Sequence, residues 1–295
     1  MKKLVIVILS VLLIFSFCGC HTEKQEETSP KEEIASTEES AEPEKDLSLI
    51  NQLREDYNFG TCKKLSGNVA VILFYMDDFE SSWTDAETDR FTQNEVLPGL
   101  DFLEQEAKKH GIELNLTVKG SYSSIYYGDE VITSVGNTGF ATADVLWEAA
   151  VQINYSSSAK MIEAFKSKYK TDEAVCFTIF NKGGTSYAIN PKRDADMKVD
   201  EHCIVFAREL NTVKNGPDGQ QAAVVAHEML HLYGAEDFYA SAPRKSLAKK
   251  YYPSDIMLSA AYDIKTNTIE AATAFYIGWT DTVPSVIEEE GWYAG

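Results

Sequence analysis

The sequence has few cationic side chains for its length. Its 295 residues include 27 lysines and arginines against 46 aspartates and glutamates, which gives a formal net charge of -19 and a pI near 4.7. A chain with this excess of negative charge has no overall attraction for phosphate backbones or anionic lipid head groups. We therefore expect no nucleic-acid partner.

Cysteine is also scarce, and its spacing excludes two kinds of site. No two of the five cysteines are separated by two residues, so a zinc ribbon and a CxxC redox motif are both excluded. Apart from Cys18 and Cys20 near the N-terminus, only Cys62, Cys176 and Cys203 remain. One disulfide can form in an oxidising compartment, and we expect the pair Cys176–Cys203 because both residues fall in predicted neighbouring strands.

Long apolar runs are absent except at the N-terminus. Two lysines precede the run from Leu4 to Phe17, which is shorter than the roughly 20 apolar residues of a permanent membrane span. This arrangement is typical of an export signal. The ending Cys18-Gly19-Cys20 resembles a bacterial lipobox, which implies a signal peptide over residues 1–19 and lipid attachment at Cys20. A plain secretory signal and an uncleaved anchor are the alternatives, and all three predict a location outside the cytoplasm.

The next segment, residues 20–46, has almost no apolar side chains. It contains nine glutamates among Ser, Thr, Lys and Pro, and a segment of this composition cannot bury enough apolar surface to offset the entropy of ordering. We predict a disordered acidic tether. From residue 47 to 295 the composition is ordinary, without a repeat or a second linker, and this predicts one globular domain. We expect that domain to be monomeric.

Within this domain, apolar runs of strand length alternate with stretches of helical spacing. The predicted strands are Val69 to Tyr75, Ile112 to Val118, Ala174 to Phe180, Thr185 to Ile189 and Cys203 to Ala207. The predicted helices are Thr84 to His110 with an interruption at Pro98-Gly99, Ala143 to Ile153 and Ala159 to Tyr169. The stretch from Gly120 to Gly139, rich in Gly, Ser and Tyr, predicts a hairpin or a flap. This alternation predicts an α/β fold with a mixed, mostly parallel sheet.

A further helix, predicted from Ala222 to Leu232, carries the most informative residues. His227 and His231 stand four residues apart, so their side chains lie one above the other, with about 5–6 Å between the Cβ atoms. Two imidazoles in this arrangement can bind one metal ion. Glu228 is turned by about 100° around the helix axis. It can therefore contact a water molecule on the ion without binding the ion itself, which is the physical basis of the HExxH motif.

The residues after this helix suggest a third ligand. Gly234 adopts a positive φ at low cost and can end the helix with a sharp turn. Asp237, six residues beyond His231, can then return to the ion. Glu236 and the more distant Glu270 are alternative third ligands. Two histidines and one carboxylate leave a fourth position open, as in catalytic zinc sites.

The pattern HExxHxxGxxD from His227 to Asp237 resembles the metzincin metallopeptidases, in the snapalysin-like subgroup that uses Asp in place of a third histidine. This resemblance implies a zincin-like fold and one zinc ion, held by both histidines and Asp237, with Glu228 as the catalytic base. It also implies a methionine turn, for which Ser254-Asp255-Ile256-Met257 is the candidate. A C-terminal helix is expected from Thr268 to Trp279.

The sequence departs from some metzincins at one position, because Ser259 stands where they have a tyrosine two residues after the methionine. Tyr239 and Tyr262 are candidates to contact the oxyanion, and each could equally be a core aromatic. Substrate peptides in this family pair with an exposed sheet edge, and Thr185 to Ile189 is the candidate edge strand.

The sequence as a whole predicts an extracytoplasmic, lipid-anchored zinc endopeptidase. Its expected partners are a peptide or protein substrate and the membrane, the latter through the N-terminal lipid only. The main alternative is a catalytically silent, zinc-containing lipoprotein that acts in surface binding or adhesion. A solute-binding lipoprotein is a third reading, supported only by the predicted anchor.

Overall fold

The structure is a computed structural model that describes residues 52, 54, 60–129, 131, 144–189, 201–209, 220–260, 263–288 and 292. They belong to a compact unit, Lys45–Gly295. The predicted signal peptide, the lipidation site Cys20 and the whole predicted tether lie outside the described residues. Over the described part of the chain, no helix combines the length and the apolar character needed to cross a membrane.

A five-stranded sheet with the order β2-β1-β3-β5-β4 forms the centre of this unit. The strands are β1 (Gly67–Asp77), β2 (Leu114–Tyr126), β3 (Glu173–Gly184), β4 (Tyr187–Ile189) and β5 (His202–Glu209). β2, β1, β3 and β5 run parallel to one another, and β4 is antiparallel to β5. The predicted mixed, mostly parallel sheet of an α/β fold is thereby confirmed.

The interior strand β1 shows why this sheet is buried on both faces. Its side chains alternate between two hydrophobic cores, with Val71 and Leu73 in one and Ala70 and Ile72 in the other. A strand covered on both faces needs a continuous apolar run, which is what the sequence of β1 has. The site described below lies on the side of the Val71 core.

The helices cover the two faces of the sheet. They are α1 (Asp85–Phe91), α2 (Leu97–Lys109), α3 (Val145–Gln152), α4 (Ser158–Tyr169), α5 (Gln220–Leu232), α6 (Ala242–Tyr251) and α7 (Ala271–Tyr276). α3 and α4 contribute to one core, for example through Met161 and Phe165. α2 and α5 contribute to the other, for example through Leu103 and Met229. The predicted C-terminal helix is shorter than expected, because α7 ends shortly before Gly278, which has a φ of 82°.

The predicted interruption at Pro98-Gly99 is wrong in position. A π-helical turn, Thr92–Val96, joins α1 to α2, and Pro98 lies in the first turn of α2, where its missing N–H is not needed. Gly99 serves a different purpose, because a Cβ at this position would lie 2.7 Å from the backbone oxygen of Ala222. The glycine therefore allows α2 and α5 to cross at close range.

The predicted hairpin or flap from Gly120 to Gly139 is also wrong over its first part. β2 continues through Gly120 to Tyr126 and pairs with β1 in parallel throughout. Most of the remainder, residues 132–139, lies outside the described residues. The polar composition of this stretch is explained by its position, because β2 is an edge strand with alternating exposed side chains.

The expected disulfide Cys176–Cys203 does not form. Both residues and Cys62 are buried thiols that form no disulfide bond. The predicted adjacency of the strands is correct, since Cys203 lies opposite Phe177 in the register of β3 and β5. Successive side chains of a strand point to opposite faces, so Cys176 belongs to the core under α3 and α4 while Cys203 belongs to the core under α5.

Candidate metal centre

The helix that carries the two histidines, α5, is held at its start by a residue from a distant part of the chain. The buried side chain of Glu95, in the π-helical turn, accepts hydrogen bonds from the backbone N–H groups of Gln221 at 2.9 Å and Ala222 at 3.0 Å. The first N–H groups of a helix have no partner within the helix, and a carboxylate also matches the positive end of the helix dipole. The sequence pattern contained no signal for this contact.

The two imidazoles are oriented by backbone carbonyl groups. Nδ1 of His227 lies 3.0 Å from the carbonyl oxygen of Ile256, and Nδ1 of His231 lies 2.6 Å from that of Ala235. A carbonyl oxygen only accepts, so each Nδ1 carries the hydrogen and donates it. Both Nε2 atoms, which are 3.1 Å apart, therefore present lone pairs to each other.

Asp237 completes a nearly equilateral triangle with these two nitrogens. Its Oδ1 lies 3.1 Å from Nε2 of His227 and 3.3 Å from Nε2 of His231. Tetrahedral zinc has bonds of roughly 2.0–2.1 Å, which separates its ligand atoms by about 3.3 Å. Among the described residues, this is the group of His, Cys, Asp and Glu side chains whose ligand atoms converge closely enough to hold an ion. The donor set and its spacing fit zinc.

The turn that returns Asp237 to the histidines is built at Gly234, whose φ is 96°. The N–H of Gly234 donates to the carbonyl of His231 at 3.1 Å, and the N–H of Ala235 donates to that of Leu230, also at 3.1 Å. This pair of bonds is the Schellman arrangement, which ends a helix and reverses the chain. The carbonyl of Ala235 is then in place to accept from His231.

The electrostatics of the triad favour a positive charge between its members. Burial lowers the pKa of His231, but the Asp237 carboxylate outweighs this effect and raises the pKa to about 9. Burial on its own would raise the pKa of Asp237, yet the two imidazoles hold it well below its usual range. Without an ion, a proton on His231 compensates the converging lone pairs. A divalent cation would do so more completely.

Glu228 lies next to this triad and is almost fully buried. Burial raises the pKa of its carboxyl group, against the opposing charge of His227 and His231. Its Oε2 is buried and has no hydrogen-bond partner in the described part of the chain. Because an unpartnered buried carboxylate oxygen is costly, it indicates a site that a ligand or a water molecule completes.

The segment of the predicted methionine turn lies directly beneath the histidines. Besides the Ile256 carbonyl that accepts from His227, the carbonyl of Met257 accepts the backbone N–H of Phe238 at 2.9 Å. Met257 itself is fully buried. The turn therefore supports both the helix with the histidines and the loop with Asp237.

A buried carboxylate fixes the shape of this turn. Asp255 Oδ1 accepts from the backbone N–H of Met257 at 2.8 Å and from the hydroxyl of Thr273 at 2.9 Å. Its Oδ2 accepts from the backbone N–H of Glu270 at 2.8 Å. Burial outweighs these bonds and raises the pKa of Asp255 to about 7. The carboxylate thus joins the turn to the start of α7.

The alternative ligands named from the sequence lie apart from the triad. Glu236 faces Arg244, with 3.6 Å between Oε2 and Nη1, and Glu270 Oε1 accepts from the hydroxyl of Thr268 at 2.9 Å. Tyr239 does lie at the site, with its ring parallel to that of His227 and the centroids 6.3 Å apart. Tyr262 lies outside the described residues.

Compared with models of protein families and with curated proteins, the sequence matches none.

Proposed function

We propose that the protein is a zinc-dependent endopeptidase in which His227, His231 and Asp237 hold the ion and Glu228 is the general base. One observation carries this proposal: three lone-pair atoms lie within 3.1–3.3 Å of one another beside a buried carboxylate oxygen that has no donor among the described residues. The first feature accounts for metal binding. The second accounts for catalysis, because metal binding alone does not need Glu228.

The donor set distinguishes a catalytic site from a structural one. Structural zinc sites are closed by four protein ligands, whereas two imidazoles and one carboxylate leave a position for water or substrate. A zinc ion held here would supply a Lewis acid that polarises the scissile carbonyl and lowers the pKa of water. The three residues of the triad are enough to hold a catalytic zinc ion, so no fourth protein ligand is needed.

Glu228 moves the proton in the proposed reaction. It accepts a proton from the attacking water and delivers it to the departing amine. Its buried position raises the pKa of the carboxyl group, which helps it to hold that proton between the two steps. Tyr239, whose side chain is 46% exposed beside His227, is the candidate donor to the oxyanion.

The substrate backbone has an edge strand to pair with near the triad. β4 is the terminal strand of the sheet, next to β5, and α5 packs against both. A terminal strand offers unpaired N–H and C=O groups to an extended peptide. Recognition of this kind depends mainly on the backbone of the substrate.

The resemblance to metzincins and the cellular location belong to the same proposal. Within the described residues, this part of the proposal consists of a zincin-like fold and a methionine turn around Met257. The signal peptide over residues 1–19, the lipid on Cys20 and the acidic tether imply an enzyme held at the outer surface of a membrane. We propose no nucleic-acid partner and a monomeric state.

The test is a peptide-library digest by the purified full-length protein, with metal content measured on the same sample. We expect one zinc per chain, cleavage that stops with a chelator and returns with zinc, and no cleavage by Glu228→Gln, which keeps its zinc. Asp237→Ala should lose zinc, whereas Glu270→Ala should retain it. If the Glu228→Gln protein cleaves peptides at the parental rate, the cleavage is due to a contaminant. That result would favour the catalytically silent surface lipoprotein.

A further inference from the structure

The charge of α6 is opposite to that of the rest of the chain. Its ten residues, Ala242–Tyr251, include Arg244, Lys245, Lys249 and Lys250 and no acidic residue. The chain as a whole has 19 more acidic than basic residues. α6 is therefore a local site of positive potential on an acidic protein, and it follows the metal-ligand loop directly.

Arg244 is the residue that fixes α6 against that loop. Its buried guanidinium donates to the backbone oxygens of Trp292 at 2.7 Å and Asp237 at 3.4 Å. It also faces the carboxylate of Glu236. The charge of Arg244 is thus used inside the protein, and the bond to Asp237 places the first turn of α6 next to the triad.

The lysines of α6 are used differently. Arg244 and Ala248 are buried, while Lys245 and Lys249, which follow them by one residue each, share an exposed side of the helix. Neither has an ion-pair partner within the described residues. The exposed side chain of Lys250 contacts the hydroxyl of Tyr251 at 2.8 Å. Lys245 and Lys249 therefore have ammonium groups available for a bound molecule.

The distance from these lysines to the triad corresponds to a few residues of an extended peptide. The side chain of Arg244 reaches the backbone oxygen of Asp237 at 3.4 Å. Because a helix rises about 1.5 Å per residue, the backbones of Lys245 and Lys249 lie within roughly 20 Å of Asp237, and their long side chains can shorten the span that a substrate must cover. An extended chain spans about 3.3 Å per residue. An acidic side chain three or four residues from the cleaved bond would therefore meet α6.

We propose that α6 is a substrate subsite that selects peptides with Asp or Glu about three to four residues from the cleaved bond, on one side of it. This inference rests on the proposed peptidase function and specifies its substrate class. The overall negative charge of the protein repels acidic peptides, so an acidic residue is favoured only where the lysines of α6 face it.

The test compares peptides that differ by a single Glu or Gln at each of four positions on either side of the bond. For the zinc-loaded parent in low salt, we expect a gain in kcat/KM of about 5- to 10-fold for Glu at one position, which fades at high salt. Lys245→Glu/Lys249→Glu should reverse this preference, and the neutral Lys245→Gln/Lys249→Gln should remove it. The matched control is Lys160→Glu/Lys168→Glu on α4, which changes the net charge equally and should leave the preference intact.

A binding measurement separates this inference from the peptidase proposal. Fluorescence anisotropy with a labelled acidic peptide and the Glu228→Gln protein should show affinity that falls about 5- to 10-fold in Lys245→Gln/Lys249→Gln. If the parent cleaves peptides without a positional preference for Glu, the subsite is refuted while the peptidase stands. If no peptide is cleaved, the peptidase proposal fails. If the same lysines instead govern binding to phosphatidylglycerol vesicles, α6 faces a membrane and the subsite is refuted.

Discussion

Two groups of buried carboxylates lie on the same side of the sheet, and they differ in what their oxygens contact. In the supporting region, Glu95 accepts two backbone N–H groups, Asp255 accepts three donors, and Glu106 accepts the N–H of Ile269 and pairs with Lys109. At the candidate metal centre, Glu228 Oε2 is buried without a hydrogen-bond donor among the described residues, and Asp237 Oδ1 faces the Nε2 atoms of His227 and His231.

This difference separates carboxylates that hold the backbone from carboxylates that are left for a ligand. A carboxylate with several N–H donors is satisfied and has little affinity left for a substrate or an ion. One without donors is destabilising in the free protein, and it persists because its surroundings are fixed. Substitutions in the supporting region should therefore change stability, and substitutions at the centre should change chemistry.

The largest effect is expected for Glu228→Gln. The rate of peptide cleavage should fall about 10³-fold, because the general base is lost. The free energy of unfolding should stay the same or rise, because a neutral amide replaces a buried unpartnered carboxylate. Steady-state kinetics and urea unfolding of the same preparation measure the two quantities. A loss of stability with an unchanged rate of cleavage would show that Glu228 has a structural role, like the carboxylates of the supporting region.

Glu95→Gln should give the opposite result. Glutamine keeps one oxygen that can accept both N–H groups but removes the charge at the positive end of the helix, so the free energy of unfolding should fall by about 1–2 kcal/mol. The kcat per folded molecule should change less than about threefold, since Glu95 does not touch the triad. Urea unfolding measures the free energy of unfolding, and active-site titration gives the number of folded molecules that is needed to calculate kcat. The matched control is Glu163→Gln, an exposed residue whose pairing with Lys166 should contribute under about 0.5 kcal/mol.

The metal-free centre should also show its own pH dependence. The pKa of His231 is about 9 in the folded protein, above the roughly 6.5 of an unfolded chain. Its protonation therefore stabilises the fold fully below pH 6.5, and this contribution, about 3 kcal/mol, is lost as the pH rises from 6.5 to 9. Unfolding of the chelated protein across this range measures the loss. It should be absent from His231→Gln and from the zinc-loaded protein, whose triad no longer holds the proton.

The smallest effect is expected for Tyr239→Phe. Loss of one neutral donor to the oxyanion should lower kcat by about 10-fold or less while KM and zinc content stay the same. Tyr126→Phe is the control, because its ring is exposed on β2, at the sheet edge opposite β4. A rise in KM or a fall in zinc content for Tyr239→Phe would assign the tyrosine to binding rather than to the oxyanion.

The triad was predictable because its geometry is local. The spacing of His227 and His231 is set by one helical turn, and the return of Asp237 depends on the single turn at Gly234. The supporting region was not predictable, because Glu95 and Gln221 are 126 residues apart in the sequence and meet only in the folded protein. The local pattern therefore predicts the candidate metal ligands, whereas the contacts that hold their helix in place depend on the tertiary structure.

Smaller errors have physical reasons of the same kind. The strands of Cys176 and Cys203 were predicted as neighbours, but which face each thiol occupies depends on the register of the sheet. α6 was not predicted, because it has little apolar periodicity. Its only local signals are the cap at Ser241, which accepts the N–H of Arg244, and a proline in its first turn.

The close crossing at Gly99 has a consequence for how the centre could evolve or be redesigned. Where α2 meets α5 there is no side chain between the two backbones, so the hydrogen atoms of one glycine set the spacing of the two helices. A single added methyl group there would push α5 outward and carry both imidazoles with it. Substitutions on α2, a helix that contributes no ligand, can therefore disturb the geometry of this centre.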